Sequence, residues 1–249
     1  MVIPIHDTNP VRRVPVVTYL LIAANLVVFL AGPVARSSLT GGVATTQACR
    51  QEAYFRHWGA IPAELTNNGQ LAETVVGSTE LGCVVGAPSY AKSPVLSAFT
   101  SMFLHAGWLH LLGNLLFLYV FGNNVEDRFG RLRFLLWYLG WGLVATYAFA
   151  FANGDSTAAV VGASGAIAGV LGAYLVLFPR AKVVSLVPFL FFIPARLPAW
   201  LVLGSWFVLQ YVYARGSGLT PGSGVAYLAH VVGFVAGAVV ALRYRRSFA

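Results

Sequence analysis

Charge is scarce in this sequence. Asp, Glu, Lys and Arg make up 10% of its 249 residues, against about a quarter in an ordinary soluble domain. That scarcity excludes a water-facing surface of the usual kind. The hydrophobic share of 58% and the mean hydropathy of +0.73 point instead to one polytopic membrane domain. Acids are scarcer still, 8 against 16 basic residues, for a formal net charge of +8. In a soluble protein that excess suggests nucleic acid. In a membrane protein it is what basic cytoplasmic loops produce, so no nucleic-acid partner is expected. The N-terminus lacks the charged, apolar and small-residue succession of a removable signal peptide: Pro4 and Pro10 precede Arg12, and Pro15 follows it. Internal repeats and charges at mid-membrane are also lacking, which argues against a transporter.

Six apolar segments are present, at about 16–32, 107–121 (with apolar residues upstream to Ala98), 132–152, 158–178, 198–214 and 225–242. The expected fold class is all-α, a six-transmembrane-helix bundle with a long extracytoplasmic first loop. Its organisation is a cytoplasmic N-terminal segment over 1–15, a membrane domain over 16–243 with the outside loop at about 34–95, and a cytoplasmic tail over 244–249. The apolar stretch 183–197 is broken by Pro188, Pro194 and Arg196 and is expected to lie along the interface. With both termini inside, only Arg36, Arg50, Arg56, Lys92 and Arg215 of the 16 basic residues fall outside, the bias expected of an inward-basic topology. Both cysteines, Cys49 and Cys83, lie in the outside loop, where a disulfide is permitted. A bond between them is expected, two unpaired thiols being the alternative.

Polar groups inside a membrane are costly, so each needs an account. The second apolar segment carries His105-Ala-Gly-Trp-Leu-His110-Leu-Leu-Gly-Asn114, the fourth Gly162-Ala163-Ser164-Gly165, and the sixth His230-Val-Val-Gly233-Phe-Val-Ala-Gly237. His110 and Asn114 are one helical turn apart and present donors from one face. Gly165 with Gly169, and Gly233 with Gly237, are small-xxx-small pairs that let helices approach closely. If those faces meet, the Ser164 hydroxyl comes within reach of the His230 imidazole, as an activated serine requires. Ser164 and His230 are each expected about six residues in from the outer end of a helix, roughly 9 Å deep at a rise of about 1.5 Å per residue. Each motif alone is weak, since a serine in a span commonly bonds back to its own helix and a histidine commonly packs. The combination, each in its own span, is specific.

These three motifs and the order of spans around them resemble the rhomboid family of intramembrane serine proteases. Asn124-Val-Glu-Asp-Arg-Phe-Gly130, at the inner end of the second span, resembles that family's acidic-basic-glycine turn. The resemblance implies a Ser–His dyad, with Ser164 as nucleophile and His230 as general base and no acid orienting the histidine. It implies that His110, Asn114 and the Ser164 backbone N–H stabilise the oxyanion, and that His105, Gly162, Gly165, Gly233 and Gly237 support the site. It further implies cleavage in or near the transmembrane helix of a single-span membrane protein. The location implied is a multi-pass protein of a bacterial plasma membrane, its active site opening to the outer face. Two features depart from the family. An aromatic commonly follows the nucleophile by four residues to stack on the histidine, and here Ala168 stands there. The outside loop has Arg56-His57-Trp58 in place of a Trp-Arg pair.

A catalytically inactive relative that binds transmembrane helices is the rival reading. A metal site of His105, His110 and His230 would leave Asn114 and the Gly-x-Ser-Gly run without a purpose, so neither metal nor other cofactor is expected. The glycine-rich loop from Arg215 to Gly224 is read either as a flexible cap, with the fifth span as a lateral gate, or as a simple connecting turn. Oligomeric state is left open.

Overall fold

The structure is a computed structural model and describes residues 2–40, 44–188, 192–216 and 226–246. In chain order it runs β1 (Ile3–Asp7), α1 (Val16–Ala31), α2 (Pro33–Thr40), α3 (Ala44–Trp58), α4 (Pro62–Asn67), β2 (Thr74–Ser78), β3 (Cys83–Gly86) and α5 (Pro94–Thr100). A 3-10 turn at Ser101–Phe103 follows, then α6 (Trp108–Phe117), a π-helical turn at Leu118–Gly122 and α7 (Asn123–Phe129). Last come α8 (Arg131–Ala152), α9 (Ser164–Leu177), β4 (Lys182–Val187), β5 (Ile193–Pro198), α10 (Ala199–Gly216) and α11 (Tyr227–Arg246).

Each of the six apolar segments contains a helix. Among the described residues, Arg131–Ala152 and Tyr227–Arg245 are long and apolar enough to cross a membrane singly, and Pro94–Phe103 with Trp108–Phe129 qualifies only as a pair. The all-α expectation needs correction: strands make up 12% of the chain beside 65% helix. The stretch expected to lie along an interface is largely a hairpin, β4–β5, and β1 pairs antiparallel with β4. Along β4 burial alternates residue by residue, with Val183, Ser185 and Val187 inside, the period-two pattern of a strand. Pro194 and Pro198 sit on β5 and Pro4 on β1, the two edge strands, where a missing N–H breaks no ladder.

The chain forms two compact units. One comprises Met1–Ile22, Gly113–Ala145 and Ser164–Ala249. Phe121, Phe134, Tyr138, Trp141, Leu171 and Tyr174 are fully buried within it. The 124–130 motif acts here as an anchor. The buried Glu126 carboxylate accepts hydrogen bonds from Val17 N at 3.0 Å, Thr18 N at 2.7 Å and the Thr18 hydroxyl at 2.8 Å. It thereby caps the N-terminus of α1 from a distance, where orphan N–H groups and the helix dipole both favour an anion. Asn124 Nδ2 (2.8 Å) and the Tyr174 hydroxyl (2.6 Å) donate to buried Asp7 on β1. Gly130, at φ +80°, closes α7 in a conformation that favours glycine.

The second unit comprises Ala23–Leu112 and Thr146–Ala163. Cys49 on α3 is disulfide-bonded to Cys83 on β3. Buried Lys92 pairs with Glu64 Oε2 at 2.6 Å and donates to the carbonyls of Arg56 and Gly59 at 2.6 and 2.8 Å. Ser93 then caps α5 by accepting from Leu96 N, with Pro94 in the first turn, a common helix start. The approach to Ser164 also lies here. Ala60 and Val160 exchange two backbone hydrogen bonds of 3.2 and 2.7 Å, and Gly162 N donates to Ser101 O at 2.9 Å. This corrects the fourth apolar segment. Its residues up to Ala163 are not helical: Val160 pairs with Ala60 in an isolated bridge and Gly162 bonds to the turn at Ser101.

Candidate active site

Ser164 is the first residue of α9. Gly162, two residues earlier, has φ +128°, which an L side chain rarely adopts, so the chain turns into the helix on a glycine. The expected six helical residues before Ser164 are absent, and the depth reckoned from them falls with them. The position at the helix start has its own consequence. The first N–H groups of a helix have no intrahelical acceptor and carry the positive end of its dipole. Ser164 therefore carries its hydroxyl beside backbone donors.

His230 is the fourth residue of α11. Its Nε2 lies 2.7 Å from Ser164 Oγ, although 66 residues separate the two in sequence. What brings them together is the absence of side chains. A Cβ on Gly233 would strike the Gly165 carbonyl oxygen, and one on Gly237 would strike that of Gly169. Gly172 would meet the carbonyl of Phe234 in the same way. The α9–α11 contact is thus backbone against backbone. Gly165 and Gly169 serve differently from expected. Added Cβ atoms there would meet Ala145 at 2.7 Å and Trp141 at 2.6 Å, so these glycines admit α8.

The His230 ring is held from α10 and α11, whereas Ala168 on α9 is fully buried against the Gly233 side of the contact. Nδ1 of His230 is 2.8 Å from Oε1 of Gln210. The Trp206 ring lies 6.0 Å from the imidazole at 33°, and Tyr227 meets it edge-on at 6.3 Å and 89°. Sequence reasoning passed over Gln210. The signal was available: it is an amide within an apolar run, and the cost of polar groups in membranes applies to it as to Ser164.

His110 and Asn114 stand one turn apart on α6, and Asn114 is buried. The His110 and His105 rings meet at 5.1 Å and 65°. His110 Nδ1 accepts the Ala106 N–H at 3.4 Å, which leaves the proton of the neutral ring on Nε2, as a donor. The loop read as a cap lies mostly in 217–225, outside the described residues. Chemically, a serine hydroxyl on an imidazole nitrogen, beside helix-start N–H groups, is an arrangement for nucleophilic acyl transfer.

Compared with known proteins, residues 92–247 match the model of the Rhomboid domain. The chain is 40% identical over 76 residues to YdcA of Bacillus subtilis, covering 30% of this chain and 38% of that protein. It is 36% identical over 104 residues to the mitochondrial RHOMBOID-like protein 6 of Arabidopsis thaliana, covering 39% and 33%. With the rhomboid protease GluP of Bacillus subtilis it shares 46% identity over 77 residues, covering 30% and 14%. The chain thus spans well under half the length of each of these relatives.

Proposed function

The chain belongs to the rhomboid family and is an integral membrane protein; on that premise we propose that it is an intramembrane serine endopeptidase. The observation that carries the reading is the 2.7 Å approach of His230 Nε2 to Ser164 Oγ. Ser164 Oγ attacks the carbonyl carbon of the scissile peptide while its proton passes to His230 Nε2. Negative charge develops on the carbonyl oxygen. The Ser164 N–H at the start of α9 stabilises it, together with donors from His110 and Asn114 assigned by resemblance. The C–N bond then breaks, His230 returns its proton to the leaving amine, and an ester remains on Ser164. Water attacks that ester, giving a proton to His230, and the carboxylic product leaves as the proton returns to Oγ.

The proposed substrates are transmembrane or juxtamembrane segments of single-span membrane proteins. The proposed setting is a six-span bundle in a bacterial plasma membrane, with both termini cytoplasmic and the site open to the outer face. A helical peptide bond is shielded by its own hydrogen bonds, so substrates whose helices unwind near the cut should be favoured. Fluorophosphonate labelling of the purified protein in detergent tests the reading. Wild type is expected to label, and Ser164→Ala and His230→Ala are not. Labelling that survives Ser164→Ala would end the nucleophile assignment.

A further inference from the structure

An imidazole held at one nitrogen only can turn about its side-chain bonds and can carry its proton on either nitrogen. A general base needs one of those states: Nε2 bare and aimed at the serine. Resemblance supplies the dyad and its oxyanion donors, and no hydrogen-bond partner that selects that state. The described structure holds one that does.

Gln210 is buried, 7% exposed, in α10. Its Oε1 stands 2.8 Å from His230 Nδ1, on the side of the ring opposite the 2.7 Å contact to Ser164. A carboxamide oxygen can only accept, so the bond between them requires the proton on Nδ1. Nε2 is then unprotonated and accepts the Ser164 hydroxyl. Trp206 precedes Gln210 by four residues and so shares its face of α10. Its ring lies beside the imidazole and is also stacked 6.0 Å from Phe234 of α11. Phe207 reaches the same Phe234 at 4.7 Å. The face of α10 that carries the amide is therefore packed against α11, and the acceptor is not free to drift.

Resting on the reading of Ser164 and His230 as a dyad, we propose that Gln210 is a positioning residue whose side-chain carbonyl fixes His230 in the Nδ1–H tautomer, with its ring plane set by Trp206. A neutral acceptor suits this place. A carboxylate would have to be ionised in an apolar setting, at high cost, whereas an amide orients the ring without a second charge. When His230 takes the serine proton, the same Nδ1–H bond becomes charge-assisted and strengthens. Gln210 thus contributes more to the transition state than to the ground state, which places its effect on kcat.

The test uses the full chain in detergent, with Gln210→Met, which keeps the length without the acceptor, and Gln210→Glu, which keeps an acceptor. In a reporter transmembrane substrate assay, Gln210→Met is expected to lower kcat about 10- to 100-fold, the scale of losing one hydrogen bond to a charged group, with KM within about twofold. Gln210→Glu retains an acceptor for Nδ1–H and should stay within about tenfold of wild type. Nitrogen-15 spectra of histidine-labelled protein, with His230 assigned by its loss in His230→Ala, should show the Nδ1–H tautomer in wild type and a mixture in Gln210→Met. The proposal is overturned if wild-type His230 carries its proton on Nε2, if Gln210→Met keeps kcat within about twofold, or if Gln210→Glu is no better than Gln210→Met. The wild-type spectrum decides even where a variant fails to fold. Failure of the dyad reading is distinct, since it appears as unchanged cleavage by Ser164→Ala.

Discussion

The replacement Gly233→Ala tests whether backbone contact between α9 and α11 sets the Ser164–His230 distance on which the proposed catalysis depends. The new Cβ would fall on the Gly165 carbonyl oxygen, with the carbonyl carbon only 3.2 Å away and Ala168 Cβ at 3.4 Å. A side-chain carbon essentially never lies within 3.0 Å of such an atom. The obstacle is backbone and cannot swing aside, so the helices must part by about 1 Å to reach ordinary contact. Gly233 is three residues from His230, less than one turn, so nearly all of that displacement reaches the imidazole. The 2.7 Å Ser–His contact would open to about 3.7 Å, beyond a hydrogen bond. Misplacement by about 1 Å can cost about 100-fold in rate, and overpacking typically costs about 1–3 kcal/mol of stability. Fluorophosphonate labelling and reporter cleavage are expected to fall about 100-fold, while thermal unfolding remains cooperative at a lowered midpoint. Wild-type labelling by a folded Gly233→Ala protein would refute the argument that the glycines fix the dyad.

Other perturbations follow from the same geometry. Lys92→Met should leave the buried Glu64 carboxylate uncompensated and cost about 3–5 kcal/mol, with much of the loss recovered in the Lys92→Met/Glu64→Gln double variant on thermal unfolding. Glu126→Gln keeps only one accepting oxygen for the three donors on α1, and an orphaned N–H costs about 1–3 kcal/mol; amide exchange should quicken at Val17 or Thr18 before it does elsewhere. Reduction, or Cys49→Ser, should lower the unfolding midpoint, since closing a loop of 34 residues is worth about 4 kcal/mol of unfolded-chain entropy. Burial raises the pKa of Asp7 from 3.8, so the folded chain holds that proton longer than the unfolded one. The stability linked to this group is therefore full below 3.8 and declines as pH rises through the raised value; Asp7→Asn should flatten that part of the stability–pH curve.

Features set within a short window were legible in the sequence. The run 132–152 gives α8 at Arg131–Ala152, because a long apolar stretch in lipid has little alternative to satisfying its backbone within a helix. The meeting of Ser164 with His230 was also legible as a candidate, since a serine in a Gly-x-Ser-Gly run and a histidine ahead of a glycine pair stand out in apolar surroundings. The β1–β4 pairing was not legible: Ile3 meets Leu186 across most of the chain, and no periodicity within five residues names a partner so distant. The start of α9 was not legible for a similar reason, because the residues before Ser164 are held out of the helix by hydrogen bonds to Ala60 and Ser101, not by any signal of their own.

Composition and motif order therefore determined the membrane setting, the mostly helical character and the two residues proposed to react, because hydropathy and residue chemistry are properties of short windows. Which residue holds the histidine was decided in three dimensions. Ala168 stands where an aromatic was looked for, and the ring is held by Gln210 and Trp206 of another helix. That outcome depends on how α10 is rotated about its axis and on how closely glycines let α11 approach α9. Those quantities are set by packing between helices, and hydropathy does not record them.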